Sequence, residues 1–261
     1  MIGRSIGFGF ITARDAVARV LIRLKVTPNA LTLTGMALTA AAGCCYAVGS
    51  GSAGVRTPRG AYLLVAGALL ILSSACDMLD GAVARIGNCK TTFGAFLDST
   101  LDRYSDFAVF AGIGVYYAWA SPANITFVLL SMLAFFNGFM ISYTRARAED
   151  LISECKVGYW QRGERSAAIL IATFSFNIPA LVVQQALLPM LTALRRVFYT
   201  KSVIEGKTPI TDPRKGGWWL KIRLWRWPRM TWPYDIVTGI NIAWLIFAPV
   251  DPTTWDLLRR I

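Results

Sequence analysis

The chain has 261 residues, 55% hydrophobic and only 16% charged, a composition that excludes disorder, collagen, a coiled coil and a small disulfide scaffold and points to one helical membrane domain. Its net charge of +12 reflects 27 Lys and Arg against 15 Asp and Glu, which on so apolar a chain signals cytoplasmic loops and anionic lipid rather than nucleic acid. Histidine is absent, which removes His bases, Ser-His-Asp triads, His-ligated zinc and His-bound haem and leaves acid–base and metal chemistry to carboxylates, whose natural ions are hard cations such as Mg2+ or Mn2+.

Residues 1–28 place Arg4, Arg14, Arg19, Arg23 and Lys25 among apolar residues, and Phe10, Val17, Val20, Leu21 and Leu24 recur at helical spacing. That pattern predicts an amphipathic helix on the membrane surface. A cleaved signal peptide is the rival reading, but basic residues run through the segment and the next apolar stretch is long. Pro28 and Asn29 open a first spanning run, about 30–49, and further runs follow at about 60–79, 94–118 and 124–144. A last apolar region, about 166–198, exceeds the roughly 20 residues of one span. It is read as two short helices broken near Asn177-Ile178-Pro179, with a single kinked helix as the alternative.

Loop charges favour the break. The stretches near 85–90, 145–165 and 195–229 carry two, five and ten Lys or Arg, the one near 50–59 carries two, and those near 119–123 and 176–180 carry none. With the basic N-terminus inside, the positive-inside rule gives six spans and both termini in the cytoplasm, in the cell's inner membrane. The expected fold is an all-α integral membrane protein: an N-terminal interfacial helix (1–28), a six-helix membrane domain (29–200) and a basic, Trp-rich extension (201–261). In that extension Trp218, Trp219, Trp225, Trp227 and Trp232 interleave with Lys221, Arg223, Arg226 and Arg229. Such interleaving can bind single-stranded nucleic acid, but beside a membrane domain it suits the headgroup layer. Residues 236–249 are apolar yet too short to span, and are expected in the interface or packed on the bundle. The five cysteines, Cys44, Cys45, Cys76, Cys89 and Cys155, form no CxxC pair and are read as reduced.

Five of the 15 acids fall between positions 77 and 106: Asp77, Asp80, Asp98, Asp102 and Asp106. Charged groups in membrane helices cost a few kcal/mol each, so they need compensation. Asp77 and Asp80 are spaced i, i+3 at the end of the second span, and Asp98 and Asp102 are spaced i, i+4 at the start of the third, so each pair leaves one helix face. A short connection makes the two helices antiparallel neighbours whose carboxylates converge. Four carboxylates repel one another unless divalent cations lie among them, and four oxygen ligands suit one or two Mg2+ that bind a diphosphate and polarise its phosphorus. Gly81 and Gly94 allow close approach, and Arg85 sets a cation where the diphosphate carries charge. Asp106 is expected to pair with Arg103 at i, i+3.

The run Asp77-x-x-Asp80-Gly81-x-x-Ala84-Arg85, eight residues, then Gly94-x-x-x-Asp98-x-x-x-Asp102 matches the signature D-x2-D-G-x2-A-R-x8-G-x3-D-x3-D without a departure. Over about residues 1–200 the chain thus resembles the CDP-alcohol phosphotransferases. The resemblance implies a six-helix membrane enzyme, commonly a homodimer, that displaces CMP from a CDP-linked alcohol with an acceptor hydroxyl. It implies that Asp77, Asp80 and Asp98 bind metal and that Asp102 is both a ligand and the proton acceptor. It also assigns Gly81, Arg85, Thr91 and the stretch Asn29-Ala30-Leu31-Thr32 to contact with the CDP-alcohol.

A second basic cluster bears on the acceptor. Arg145, Arg147, Lys156, Arg162 and Arg165 lie on one expected cytoplasmic loop and its flanking helix ends. They are either the ordinary positive-inside bias or a pocket for a phosphorylated acceptor, since arginine grips phosphate in a bidentate way. The segments Ser142-Tyr143-Thr144-Arg145-Ala146-Arg147-Ala148-Glu149, Gly163-Glu164-Arg165 and Asp102-Arg103-Tyr104-Ser105-Asp106 look like the phosphatidylinositol phosphate synthase branch of that family. That likeness implies CDP-diacylglycerol and inositol 1-phosphate as substrates, with Arg145, Arg165 and Arg196 on the acceptor phosphate. Arg145 stands where that branch usually has lysine, and Gln161-Arg162 where it usually has an acidic residue and arginine. Glycerol 3-phosphate is the rival acceptor. A metal-ion transporter also places Asp in membrane helices, but has no use for Gly81, Arg85 and Gly94 at these positions.

Overall fold

The computed structural model describes residues 2–51, 54, 57–207, 218–225 and 227–256, without the side chains of 2–10, 58 and 220. Arg226 and the side chains of Arg4 and Phe10 therefore lie outside the described residues. Among the described residues all regular structure is helical: α1 (Ile2–Arg23), α2 (Pro28–Gly49), α3 (Pro58–Ile86), α4 (Thr92–Trp119), α5 (Ile125–Glu149), α6 (Arg162–Phe174), α7 (Ile178–Ile204), α8 (Trp218–Leu224) and α9 (Trp232–Phe247). Four of these, α2, α3 from Arg59, α5 and α7, are long and apolar enough to cross a membrane.

Local chemistry sets the boundaries. Thr27, Thr57, Thr91, Asn124 and Asn177 are the N-caps of α2, α3, α4, α5 and α7, and each side-chain oxygen accepts a backbone N–H of the first turn. Pro28, Pro58 and Pro179 follow in first turns, where a missing N–H costs nothing. The break near 177 arises the same way: α6 stops at Phe174, Phe176 takes a left-handed φ of 55°, and Asn177 caps a new helix. α3 runs seven residues past the expected apolar limit at 79, to Ile86. Its added turns carry Asp80 and Arg85.

α2 packs against both α3 and α4. Against α4 the approach is backbone to backbone: a Cβ on Gly43 would lie 2.4 Å from the Ala108 carbonyl oxygen, and one on Gly112 2.0 Å from that of Gly43. Only small residues permit such contact between helices. α5 packs on α4 and α7, tied to α7 by Asn137 Nδ2 donating to the Ala186 carbonyl at 2.6 Å. The opposite face of α5 presents Ile125, Leu129, Met132, Phe136, Phe139 and Tyr143, spaced every three or four residues and all exposed. Each large apolar side chain left in water forfeits roughly 1.5–3 kcal/mol, so such a stripe belongs against lipid or protein.

α1 docks on α3 through Ala18, which is fully buried with Leu31, Ala82 and Val83. Leu21 packs there as well, whereas Val17, Val20 and Leu24 are exposed. The segment expected at 236–249 is α9, and it packs on α6 and α7. Trp244 Nε1 donates to the Ala180 carbonyl at 3.0 Å, Gln184 Nε2 donates to Asn241 Oδ1 at 3.0 Å, and Asn177 Nδ2 donates to the Ala248 carbonyl at 3.0 Å. Trp218, Trp219 and Trp232 are exposed. Trp225 packs edge-on against Tyr159, with Arg195 5.8 Å from its ring centre. All five cysteines are free.

Candidate active site

The last turns of α3 and the first turns of α4 form one end of the bundle. One carboxylate oxygen from each of Asp77, Asp98 and Asp102 lies within 4.8 Å of the other two. The fourth expected ligand, Asp80, is only 8% exposed, and its Oδ2 accepts the Thr32 hydroxyl of α2 at 2.7 Å. The structure thus gathers three of the four acids and turns the fourth toward α2. Hard carboxylate oxygens at this separation fit a divalent cation, and the donor set holds no softer ligand.

Arg162 at the start of α6 meets the same acids. Its Nη2 donates to Asp77 Oδ2 at 3.2 Å, and its Nη1 forms an ion pair with Asp102. Arg103 adds a weaker contact to Asp102 at 3.4 Å. Arg162 lines the arginine-walled cleft with the expected acceptor cations and is at the same time the counter-charge of the carboxylates. Asp106 does not pair with Arg103 as expected: it accepts from Arg165 Nη2 at 2.8 Å, because α6 packs close enough for Arg165 to reach α4.

Two clefts flank the acids. The first, about 300 Å³, is lined by Asn29 and Thr32 from α2, by Asp80, Gly81 and Arg85 from α3, and by Thr91, Gly94 and Asp98. A Cβ on Gly94 would come within 3.0 Å of Thr91 Oγ1 and 3.4 Å of Asn29 Oδ1, so any other residue there would crowd both polar groups. Of the residues expected to contact the CDP-alcohol, Asn29, Thr32, Gly81, Arg85 and Thr91 line this cleft. Leu31 instead turns into the apolar cluster with Ala18 and Ala82, and the Ala30 N–H is taken by the Thr27 cap at 3.3 Å.

The second cleft, about 510 Å³, lies on the other side of Arg162. Arg103, Arg145, Arg162, Arg165, Arg196 and Arg229 line it, and Glu149 is the one carboxylate among its lining residues. The three expected acceptor cations, Arg145, Arg165 and Arg196, therefore share one wall. Arg145 Nε donates to Glu149 at 2.9 Å. Arg196 is 2% exposed and bonds the Val157 and Ile141 carbonyls, so its charge is solvated by backbone dipoles. Gly138 makes room for Arg165, whose Nε would lie 3.4 Å from an added Cβ. Arg229 was not foreseen as part of this cleft. It lies in the extension, and no spacing in the sequence links it to the core.

The family model described as CDP-alcohol phosphatidyltransferase matches residues 25–200. The chain is 37% identical over 183 residues to an archaetidylinositol phosphate synthase of Methanothermobacter thermautotrophicus, covering 68% of this chain and 84% of that one. It is 34% identical over 200 residues to a phosphatidylinositol phosphate synthase of Corynebacterium glutamicum, covering 75% and 85%. The Mycobacterium tuberculosis phosphatidylinositol phosphate synthase, 27% identical, is similar in structure. It was solved with CDP-DAG bound (TM-score 0.62, covering 72% of this chain and 92% of that one) and in complex with manganese and citrate (TM-score 0.63, covering 78% and 96%).

Proposed function

The chain belongs to the CDP-alcohol phosphatidyltransferase family, and from that premise we propose that it transfers the phosphatidyl group of CDP-diacylglycerol to a hydroxyl of inositol 1-phosphate and releases CMP. One observation carries the reading: the carboxylates of Asp77, Asp98 and Asp102 converge, Asp98 lines the cleft that bears the signature glycines and Arg85, and Arg162, which pairs with Asp77 and Asp102, lines the cleft walled by arginines. The names of both relatives specify inositol phosphate and differ in the lipid, which favours a phosphorylated polyol as acceptor.

The first cleft receives the nucleotide and its diphosphate, with Asn29, Thr32 and Thr91 as polar contacts and Arg85 as counter-charge. Asp77, Asp80, Asp98 and Asp102 would hold one or two Mg2+ or Mn2+, which when bound neutralise the diphosphate and make its phosphorus electrophilic. The second cleft orients the acceptor by its phosphate through Arg145, Arg165 and Arg196. Asp102 takes the proton of the acceptor hydroxyl as that oxygen forms its bond to phosphorus, while the P–O bond to CMP breaks. A carboxylate is a weak base toward an alcohol, so proton transfer accompanies bond formation rather than preceding it.

Six spans, α2 to α7, with α1 and the extension at the interface, both termini in the cytoplasm and a homodimeric state complete the reading. The acids then sit at the cytoplasmic end of the bundle, where a lipid-linked diphosphate enters sideways and a polar acceptor arrives from water. The test is CMP release by the purified protein with Mg2+ and CDP-diacylglycerol. Turnover with inositol 1-phosphate that stops on addition of EDTA supports the proposal. Turnover with glycerol 3-phosphate alone reassigns the acceptor, and no CMP with any acceptor overturns the reading.

A further inference from the structure

We propose that Arg229, supplied by the C-terminal extension beyond the matched family region, is a specificity-determining residue that closes the acceptor cleft and engages the phosphate of the acceptor. This rests on the phosphorylated-acceptor reading above.

Three observations carry it. Arg229 lines the same cleft as Arg145, Arg165 and Arg196 although it lies outside residues 25–200. Its guanidinium is fixed rather than loose: Nε and Nη2 both bond Glu164 Oε1, at 2.9 and 2.7 Å, and the Tyr234 hydroxyl donates to the same oxygen at 2.7 Å. Glu164 is itself 93% buried on α6, next to Arg165. Burial and the Glu164 bond raise the Tyr234 hydroxyl pKa to about 12, so this donor keeps its proton at neutral pH. Finally, the core leaves space for the visitor: a Cβ on Gly163 would lie 3.0 Å from Arg229 Nη2.

The extension is anchored on both sides of Arg229. Before it, the Gly158 N–H donates to the Leu224 carbonyl at 3.0 Å. After it, Tyr159 donates to Thr238 at 3.0 Å, and α9 is bonded to α7. The guanidinium is therefore carried on packed structure to the rim of the cleft. Its side chain is 65% exposed, as a residue that meets a ligand arriving from water requires. The remaining cations of this wall come from α4, α5, α6 and α7, so the extension adds a charge that the core does not encode.

The experiment measures CMP release against inositol 1-phosphate and against CDP-diacylglycerol for the wild type, Arg229→Gln and Arg229→Lys. Loss of one partly exposed charge-assisted contact raises the acceptor KM about five- to tenfold in Arg229→Gln. The KM for CDP-diacylglycerol and kcat stay within about twofold, and Arg229→Lys recovers part of the acceptor affinity, because the point charge survives without the planar fork. Inorganic phosphate, used as a competitor, inhibits Arg229→Gln less than the wild type. An unchanged acceptor KM in Arg229→Gln overturns the proposal, as does an equal rise in both KM values, which marks a merely structural role. Failure of the acceptor reading is separate, because it appears already in the wild type as no turnover with any phosphorylated acceptor, and it takes the proposal with it.

Discussion

Asp80 and Asp102 belong to the same four-acid pattern, yet different neighbours hold them. Asp80 is bonded to Thr32 on α2, while Asp102 is flanked by Arg162 and Arg103 on the side of the arginine-lined cleft. The proposed proton-accepting role is therefore given to Asp102, which Arg162 ties to the arginine-lined cleft. Asp102→Asn is expected to lower kcat about 10²- to 10⁴-fold, the range for loss of a positioned general base, with the KM for CDP-diacylglycerol much less affected. CMP-release kinetics measure this, and near-normal turnover with intact metal affinity would remove the role. The acids, the signature glycines and Arg85 were legible because their spacing is local to two helices. The ion-pair partners of Arg162 and Asp106, Asp77 with Asp102 for one and Arg165 for the other, were not, because they are distant in sequence and set by how α6 packs.

The helix starts were readable to within a few residues for the same local reason, since hydropathy runs, Pro28 and the break near Asn177-Ile178-Pro179 are written in short segments, although α3 runs seven residues past its expected end. How α2 and α4 approach was not. Gly43 and Gly112 are ordinary in sequence, and only the packing shows that a side chain on Gly43 would strike Ala108 and one on Gly112 would strike Gly43. Gly112→Ala forces the helices apart, with a loss of about 1–3 kcal/mol typical of overpacking. Gly114→Ala, two residues on, meets nothing closer than Ser131 Cβ at 3.7 Å. In detergent the thermal midpoint should fall by several degrees for Gly112→Ala and stay near wild type for Gly114→Ala; equal midpoints would contradict the close crossing.

Across the whole molecule, charge and apolar surface divide the bundle into an end and a flank. Arginines gather near the acids, and the exposed apolar stripe of α5 lies along the side. In the proposed orientation, with the acids at the cytoplasmic end, Cys89, exposed between α3 and α4, would face the cytoplasm. In a Cys44→Ser background, which removes the other exposed thiol, a membrane-impermeant maleimide should label Cys89 in inverted vesicles and not in right-side-out ones, and adding Cys89→Ser should abolish the signal. Cys155 is buried and stays unlabelled in the folded protein, because a packed thiol cannot reach the reagent. Labelling from outside would reverse the proposed orientation.

The sequence by itself determined the helical membrane character, the places where helices start, and the acidic signature, because hydropathy runs, caps and i, i+3 or i, i+4 spacing act over a few residues. Only the tertiary structure decided which arginine neutralises which acid, how closely α2 and α4 cross, and that the extension reaches back to the arginine-lined cleft. Those outcomes depend on contacts between residues tens of positions apart, such as Arg162 with Asp77 and Arg229 with Glu164, and no local pattern encodes a meeting that packing alone brings about.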